Sequence, residues 1–316
     1  MEKDTIASFY KFSPLKKTTE LRKLILEKAC DLDLKGTILI AEEGLNGMIS
    51  GADKSIKTMQ TYLSSFPEIG DVDFKLSYYD QVAFRRMLVK IKKETITMRK
   101  DVDPLVETGH YLDPVDFESW IEEGKDMTIL DTRNDYEVSV GTFEGAIDPK
   151  IKSFEDFTHY IDSHAEELKK KPVVTFCTGG IRCEKATAYM KQKGIDEVYQ
   201  LEGGILKYFE AMMKLAKEGH WNGDCVVFDK RKAITTKLQP SSKHICYVCL
   251  FDKKAEEMLE KEAPGGTMCK ACDKKITAQK AKKKELGLKK AAVNFLERKQ
   301  HLKEVHEKKQ AEFSRA

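Results

Sequence analysis

Apolar residues recur along this chain in two rhythms, one alternating every second residue and one near the helical repeat. The switches between them divide it into successive elements. Ile6 to Phe12 alternates as a strand, and Thr19 to Cys30 is an amphipathic helix opened by a polar residue. Lys35-Gly36-Thr37-Ile38-Leu39-Ile40-Ala41 returns to strand spacing, and Gly44-Leu45-Asn46-Gly47 reads as a tight turn before the hairpin partner Met48-Ile49-Ser50-Gly51. Ser55 to Phe66 is helical again, and Asp73 to Ser77 and Met87 to Lys92 supply further strands. This order is the split β-α-β-β-α-β arrangement of a ferredoxin-like sandwich, expected over residues 1–94.

The rhythm lapses from Thr95 to Tyr111, a polar stretch containing Pro104, so 95–112 reads as a linker. From Asp113 onward short strands and helices alternate: a helix to Glu123, a strand over Met127–Asp131, a short strand after Gly141 and a helix over Phe154–Ala165. Then come a central strand Val173–Phe176, a helix over Cys183–Gln192, a strand over Asp196–Leu201 and a helix from Ile205. Units of this length imply an α/β sheet covered by helices, expected over 113–235, with chemistry at the carboxyl end of a strand. Beyond it, 236–316 reads as a small cysteine-rich module ending in two charged helices, Ala278–Glu285 and Lys289–His306, broken at Gly287. The whole is an α/β and α+β multidomain chain.

Charge changes this picture at one end. The 316 residues carry a net +3, but Lys274 to Ala316 holds 14 Lys or Arg against 5 Glu, so the rest of the chain is mildly acidic. A basic tail on an acidic body suggests a polyanionic partner, although a solvated helical face accounts for the same charges. In the first domain Arg85 and Arg86 precede a Lys-rich strand and are candidates for phosphate contact. In the tail the corresponding candidates are Lys280, Lys282, Lys283 and Lys284. No stretch reaches membrane-spanning length, and Met1-Glu2-Lys3-Asp4 lacks the apolar run of a signal peptide. Eight cysteines include two Cys-x-x-Cys pairs and one at the head of a loop, a usage that fits a reducing cytosol rather than a disulfide scaffold.

That loop carries the chemistry. Val173-Val174-Thr175-Phe176 is a buried-strand pattern that ends at Cys177, and Thr178-Gly179-Gly180-Ile181-Arg182 turns from it into a helix. Two glycines let successive amide N–H groups converge on the sulfur, the helix adds its positive end, and Arg182 adds a cation. All three favour a thiolate, which makes Cys177 the candidate nucleophile and Thr178 through Arg182 its anion cradle. The alternative is a buried cysteine ending a core strand. Four residues separate Cys177 from Arg182, where a phosphatase loop has five, so the compact loop suits a persulfide better than a phosphoryl group. Asp131, at the end of its own strand, and Arg133 are expected to organise this loop from behind. Cys183 is read as a buried residue behind the loop, with resolution of a modified Cys177 as the alternative.

Cys246-Tyr247-Val248-Cys249 and Cys269-Lys270-Ala271-Cys272 lie 19 residues apart. The two-residue gaps let each pair face one ion, so Cys246, Cys249, Cys269 and Cys272 are expected to bind a structural zinc, with an iron–sulfur cluster or disulfides as alternatives. His220, Cys225 and His244 share no convincing spacing. Neither a nicotinamide nor a flavin fingerprint is present.

Asp131-Thr132-Arg133-Asn134-Asp135-Tyr136-Glu137, Gly141 through Ile147, Cys177 through Arg182 and Leu201-Glu202-Gly203-Gly204 together resemble a rhodanese domain. Lys35-Gly36-Thr37-Ile38-Leu39-Ile40-Ala41-Glu42-Glu43-Gly44-Leu45-Asn46-Gly47 and Arg182-Cys183-Glu184-Lys185-Ala186 further resemble the rhodanese-containing tRNA uridine hydroxylase family over nearly the whole chain. The resemblance implies an acylphosphatase-like first domain and formation of 5-hydroxyuridine at wobble position 34 of tRNA. It also implies molecular oxygen as co-substrate, Cys177 as catalytic centre, the tRNA anticodon arm as partner and a cytoplasmic location. Two other readings stay open at this point. One is a sulfurtransferase or persulfide carrier fed by a sulfur donor; the other is a metal-stabilised RNA-binding adaptor with an inactive rhodanese fold. The oligomeric state is not legible in the sequence.

Overall fold

The structure, a computed structural model, describes residues 4–260 and 266–286. It divides into a main body, running to Ile245 and including Leu250–Asp252, and a smaller cysteine unit of Cys246–Cys249 and Lys253 onward.

The main body begins with β1 (Asp4–Phe12), α1 (Thr18–Asp31), β2 (Lys35–Ala41), β3 (Gly44–Gly51), α2 (Asp53–Ser64), β4 (Lys75–Tyr79) and β5 (Met87–Ile91). The sheet order is β4-β1-β3-β2-β5. The first four strands are antiparallel neighbours, and β5 adds a parallel edge beside β2. The hairpin turns earlier than the glycines suggest. Ala41 pairs with Gly44, so Glu42-Glu43 is the turn and Gly44–Gly47 lies within β3. A two-residue turn keeps both strands in register, and Gly47 sits in the strand because Phe9 fills the space of a side chain there.

Period-two alternation gives this sheet two different faces. Ala7, Phe9, Ile38, Ile40, Leu45 and Ile49 point into a core with Leu21 and Ile25 of α1 and Ile56, Met59 and Leu63 of α2. Ser8, Tyr10, Thr37, Leu39, Asn46 and Met48 point to the opposite face, which carries neither of these helices and lines a cleft.

The second part follows as β6 (His110–Leu112), α3 (Pro114–Glu122), β7 (Thr128–Asp131), α4 (Asp135–Val138), β8 (Gly141–Phe143), α5 (Phe157–Leu168), β9 (Val173–Phe176), α6 (Ile181–Gln192), β10 (Val198–Leu201) and α7 (Gly204–Leu215). Its parallel sheet has the order β6-β10-β9-β7, which places β9 in the interior. The stretch read as a linker therefore ends inside the domain, with His110–Leu112 as an edge strand beside β10. Its polar composition hid this, since only Leu112 of the three residues is buried. The helix expected from Cys183 starts two residues earlier, at Ile181. Three further short strands, β11 (Trp221–Gly223), β12 (Cys225–Val226) and β13 (Ala233–Ile234), follow. Here Arg231 donates to Ser77 of β4 at 2.9 Å and the Lys230 amide donates to the Ala83 carbonyl, returning the chain to the first sheet.

In the cysteine unit a helix runs over 270–286. It is longer than the segment expected from Ala278, because Lys270 and the residues after Cys272 continue it without a breaker. The expected second helix, Lys289–His306, and the break at Gly287 lie outside the described residues. Among the described residues, no helix is long and apolar enough to cross a membrane.

The two sheets of the main body are joined by a buried cation. Lys185, 1 % exposed, places Nζ 2.8 Å from both Glu43 in the β2–β3 turn and Glu94 after β5, and 3.2 Å from the Ile96 carbonyl. Beside it Glu184 accepts hydrogen bonds from Tyr10 (2.8 Å), Tyr111 (3.0 Å), Gln200 (3.0 Å) and Thr108 (3.1 Å). Burial raises the Glu94 carboxyl, but the Lys185 hydrogen bond and the Met98 amide hold it below its ordinary value of 4.5. Its contribution to stability is therefore present above that pH and is lost as the pH falls below it. Lys185→Met should cost about 1–3 kcal/mol in urea unfolding at neutral pH, less than for a fully buried pair because both carboxylates retain some solvent. The variant should also lose less stability than the native chain on acidification below pH 4.5. An unchanged unfolding midpoint would remove the joint from the energetics of the fold.

Candidate active site

Cys177 ends β9 with its side chain 1 % exposed, at the floor of the cleft beneath the helix-free face of the first sheet. The loop behind it is shaped by close backbone approaches. Gly180 has φ +103°, and a β-carbon there would meet the Tyr10 hydroxyl of β1 at 2.9 Å. Gly204 has φ +67°, and a β-carbon would fall 2.4 Å from the Cys177 carbonyl oxygen. That absence lets the first turn of α7 dock on the loop: Ile205 N–H donates to the Cys177 carbonyl at 2.9 Å and Leu206 N–H to the Thr178 carbonyl at 3.1 Å. The Gly203-Gly204 pair is thus part of the architecture of the cysteine loop.

The surroundings of the sulfur favour its anionic form. Gly180 N–H donates to Cys177 Sγ at 3.1 Å. Burial pushes the thiol up, but a hydrogen bond from the Cys183 thiol, the Arg182 charge and the amides of Arg182 and Gly180 outweigh it, bringing Cys177 down to about 5. Within the cradle expected from Thr178 to Arg182, the amides of Gly180 and Arg182 reach the sulfur, while Gly179 and Ile181 line the cleft. Thr178 Oγ1 lies 3.5 Å from Arg182 Nη2.

Arg182 itself is not a free cation. It makes a two-pronged ion pair with Glu137 of α4, at 2.6 and 2.8 Å, and Glu137 is fully buried. Burial raises the Glu137 carboxyl, and Arg182 brings it below its usual value. A guanidinium engaged at both prongs is poorly placed to clamp a phosphoryl group, which agrees with the loop length in disfavouring a phosphatase.

Asp131 and Arg133 form a second buried ion pair. Arg133 Nε lies 2.9 Å from Asp131 Oδ1, and Nη2 lies 2.6 Å from Oδ2 and 2.7 Å from the Gly141 carbonyl. Thr142 Oγ1 also donates to Asp131, at 2.9 Å. These bonds tie the end of β7 to β8, behind the loop. Cys183 is fully buried at the first turn of α6, 3.7 Å from Thr132 Oγ1, and burial together with the Cys177 charge pushes its thiol well up. The two readings of Cys183 are therefore not exclusive: it is buried, and it is next to the reactive sulfur.

The cleft has a volume of about 460 Å³. Tyr10, Tyr136, Phe154, Phe228 and Met48 form much of its wall, with Asn46 and Asn134 as amide groups. Phe228 is 54 % exposed although it lines the cleft. Sequence reading missed Tyr10, Glu137 and Phe228. The alternation of β1 could have flagged Tyr10 as outward-facing, whereas nothing in the local pattern announces Glu137 as the partner of Arg182.

The remaining candidates lie elsewhere. Arg85 and Arg86 are exposed just before β5 and are not part of the cleft wall. Lys280, Lys282, Lys283 and Lys284 are exposed on the 270–286 helix of the cysteine unit. In that unit the ligand atoms of Cys246, Cys249, Cys269 and Cys272 lie within 4.8 Å of one another. A tetrahedral Zn–S₄ centre, with bonds of about 2.3 Å, needs sulfurs in this range. Val248 N–H at 3.4 Å and Cys269 N–H at 3.3 Å donate to Cys246 Sγ, a pattern suited to a metal thiolate. The four residues fit such an ion, and a site filled by four thiolates has a structural role.

A low-pKa cysteine held by amides at the carboxyl end of an interior parallel strand defines a rhodanese-type thiolate site, here covered by an acylphosphatase-like sheet. Comparison agrees: residues 5–95 match the UPF0176 acylphosphatase like domain and residues 113–211 the Rhodanese-like domain. A protein of Brucella anthropi named tRNA uridine(34) hydroxylase is 39% identical over 269 residues, covering 85% of this chain and 87% of that protein. One of the same name from Bartonella henselae is 40% identical over 275 residues, covering 86% and 90%. A solved rhodanese-like domain from Anabaena is 22% identical, covering 36% of this chain and 78% of its own, with a TM-score of 0.30. The chain belongs to the tRNA uridine(34) hydroxylase family.

A thiol with a depressed pKa is a thiolate above that pKa and loses its nucleophilicity below it. Labelling of Cys177 by iodoacetamide should therefore hold level from neutral pH down to about 5 and fall tenfold per unit beneath. Arg182→Lys, which keeps the charge but loses the planar fork on Glu137, should move that midpoint upward. A native midpoint near the ordinary thiol value of about 8.5 would remove the electrostatic account.

Proposed function

We propose that this chain hydroxylates uridine 34 of tRNA to 5-hydroxyuridine, with Cys177 as the reacting group. The observation that carries the reading is the cleft itself, in which a thiolate faces a space walled by Tyr10 of the first domain and by Tyr136, Phe154 and Phe228 of its own. Bases of an anticodon loop are accessible without opening a duplex, and a flipped pyrimidine is held by stacking on aromatic side chains. A volume of about 460 Å³ accommodates one nucleoside with Tyr10, Tyr136 or Phe228 against its face. An anionic sulfur beside the C5–C6 bond of uracil is placed to add at C6. That addition makes C5 electron-rich, as attack on an electrophilic oxygen requires.

Molecular oxygen is the co-substrate in this reading: one atom goes to C5 and the other to water with two electrons and two protons from an external reductant, after which C5 loses its proton and the sulfur leaves C6. A cytoplasmic location follows from the substrate. Arg85, Arg86 and the lysines of the 270–286 helix would contact tRNA phosphates, which position the substrate without selecting the base. Zinc held by the four cysteines would brace the unit that carries those lysines. The purified chain should contain one zinc per molecule and be colourless, whereas a brown protein containing iron would replace zinc by an iron–sulfur cluster. Asp131 and Arg133 would act by positioning the loop.

The deciding experiment is nucleoside mass spectrometry of tRNA from cells lacking the protein and supplied with either the native chain or Cys177→Ala. Native complementation should restore 5-hydroxyuridine or its derivatives, and Cys177→Ala should not. If deletion leaves these nucleosides unchanged, the hydroxylase reading fails. Sulfur transfer, which the same thiolate could perform, would then take its place.

A further inference from the structure

The reaction above uses Cys177 and leaves a second buried nucleophile without a task. Cys183 is completely enclosed, yet its surroundings are not those of a thiol that merely fills space. Its sulfur contacts the Thr132 hydroxyl, and the charge on Cys177 acts on it directly. Thr132 Oγ1, 3.7 Å from that sulfur, also donates to the Phe176 carbonyl at 3.0 Å, so it bridges the strand end carrying Cys177 to the helix carrying Cys183. Gly180 ties the same two residues from the other side: its N–H donates to Cys177 Sγ at 3.1 Å, and its carbonyl accepts from the Cys183 N–H at 3.0 Å. The residues carrying the two sulfurs are thus tied to one another through Gly180 and Thr132. By contrast Cys225, equally buried, has its sulfur 3.6 Å from the Val226 carbonyl.

We propose that Cys177 and Cys183 form a reversible oxidation site in which Cys183 resolves a peroxide-oxidised Cys177 as an intramolecular disulfide. A peroxide is attacked by the Cys177 thiolate: the O–O bond breaks, one oxygen stays on sulfur as a sulfenic acid, and the other leaves as water. Cys183 then attacks Cys177 Sγ. The S–O bond breaks, an S–S bond of about 2.05 Å forms, and the departing hydroxide takes the Cys183 proton and leaves as a second water. In sum, two thiols and one peroxide give one disulfide and two waters. A dithiol reductant restores the pair by exchange.

The arrangement controls its own timing. While Cys177 is a thiolate, burial and that neighbouring negative sulfur hold the Cys183 proton in place and keep its thiol well above the ordinary value. Conversion of Cys177 to a neutral sulfenic acid removes the charge that held the proton. Cys183 thus becomes reactive when there is something to resolve. The disulfide also stops Cys177 from proceeding to the irreversible sulfinic acid.

The test uses the reduced full-length chain, hydrogen peroxide as the probe, denaturing alkylation of residual thiols, and trypsin with mass spectrometry. Trypsin cuts after Arg182 and Lys185, so Cys177 and Cys183 fall on separate peptides and their disulfide is read as a linked pair. The native chain should yield that pair, reversible by dithiothreitol, with Cys225 still free. In Cys183→Ser, Cys177 should instead be trapped by dimedone and accumulate as sulfinic acid several-fold faster. Appearance of Cys177 sulfinic acid with Cys183 unlinked in the native chain would overturn the proposal, as would a Cys177 that peroxide leaves reduced. The native-chain result stands even if the serine variant fails to fold. Because the readout involves no tRNA, it is independent of whether the hydroxylase reading holds.

Discussion

The arrangement of the main body depends on a lysine where a helix would ordinarily bury an aliphatic residue. Lys185 sits on α6, one turn behind the cysteine loop, and its two carboxylate partners come from the first domain. Taking an ammonium out of water is costly, and well-packed apolar residues in place of the lysine and both carboxylates would hold the two parts together at least as strongly. What an apolar contact lacks is direction. Carboxylates on the β2–β3 turn and on the strand-exit segment after β5 can meet one ammonium in a single docking of the two sheets. The adjacent Glu184, gathering Tyr10 from one sheet and Tyr111 and Gln200 from the other, narrows the choice further. The specificity of these bonds sets which face of the first sheet covers Cys177, and so creates the cleft.

The same economy governs charge at the site. Arg182 is neutralised by Glu137 and Arg133 by Asp131, so two arginines near the loop bring two buried carboxylates with them. The anion on Cys177 consequently depends on oriented dipoles and on a thiol proton, together with an already partnered cation. Such a site favours a single compact negative charge on sulfur and offers little to a phosphate dianion. It also ties Cys183, through Gly180 and Thr132, to the strand end that carries Cys177.

Much of the fold was legible because its signals are local. Alternation in Ile6–Phe12 and Lys35–Ala41, and the apolar run ending at Cys177, define strands irrespective of what they pair with. The errors fall where the deciding partner is distant in sequence. Gly44–Gly47 looked like a turn because glycines usually mark one, but here they permit close packing within β3, against Phe9 in one case. His110–Leu112 looked like a linker because two of its three side chains face solvent, and it becomes a strand only when β10 offers a ladder. Cys177 could be singled out from the turn chemistry around it. Glu137 could not, since its relation to Arg182 spans 45 residues and leaves no spacing rule behind.

This distribution explains why two motifs far apart in the sequence accompany one another. Glu43, in the stretch Ala41–Gly47, has no chemistry of its own; its role appears once its carboxylate is seen on Lys185, in the stretch Arg182–Ala186. Asn46 of the same stretch reaches the Thr95 carbonyl at 3.2 Å while lining the cleft, and Glu43 also receives the Thr95 amide at 2.7 Å. A rhodanese loop alone presents a thiolate to whatever diffuses in. Joined through Lys185 to a sheet whose outward face carries Tyr10, Asn46 and Met48, that thiolate sits at the floor of a cleft walled from both domains. The motifs therefore constrain one another through a docking geometry, and a change in either should be felt at the wall of the cleft as well as at the sulfur.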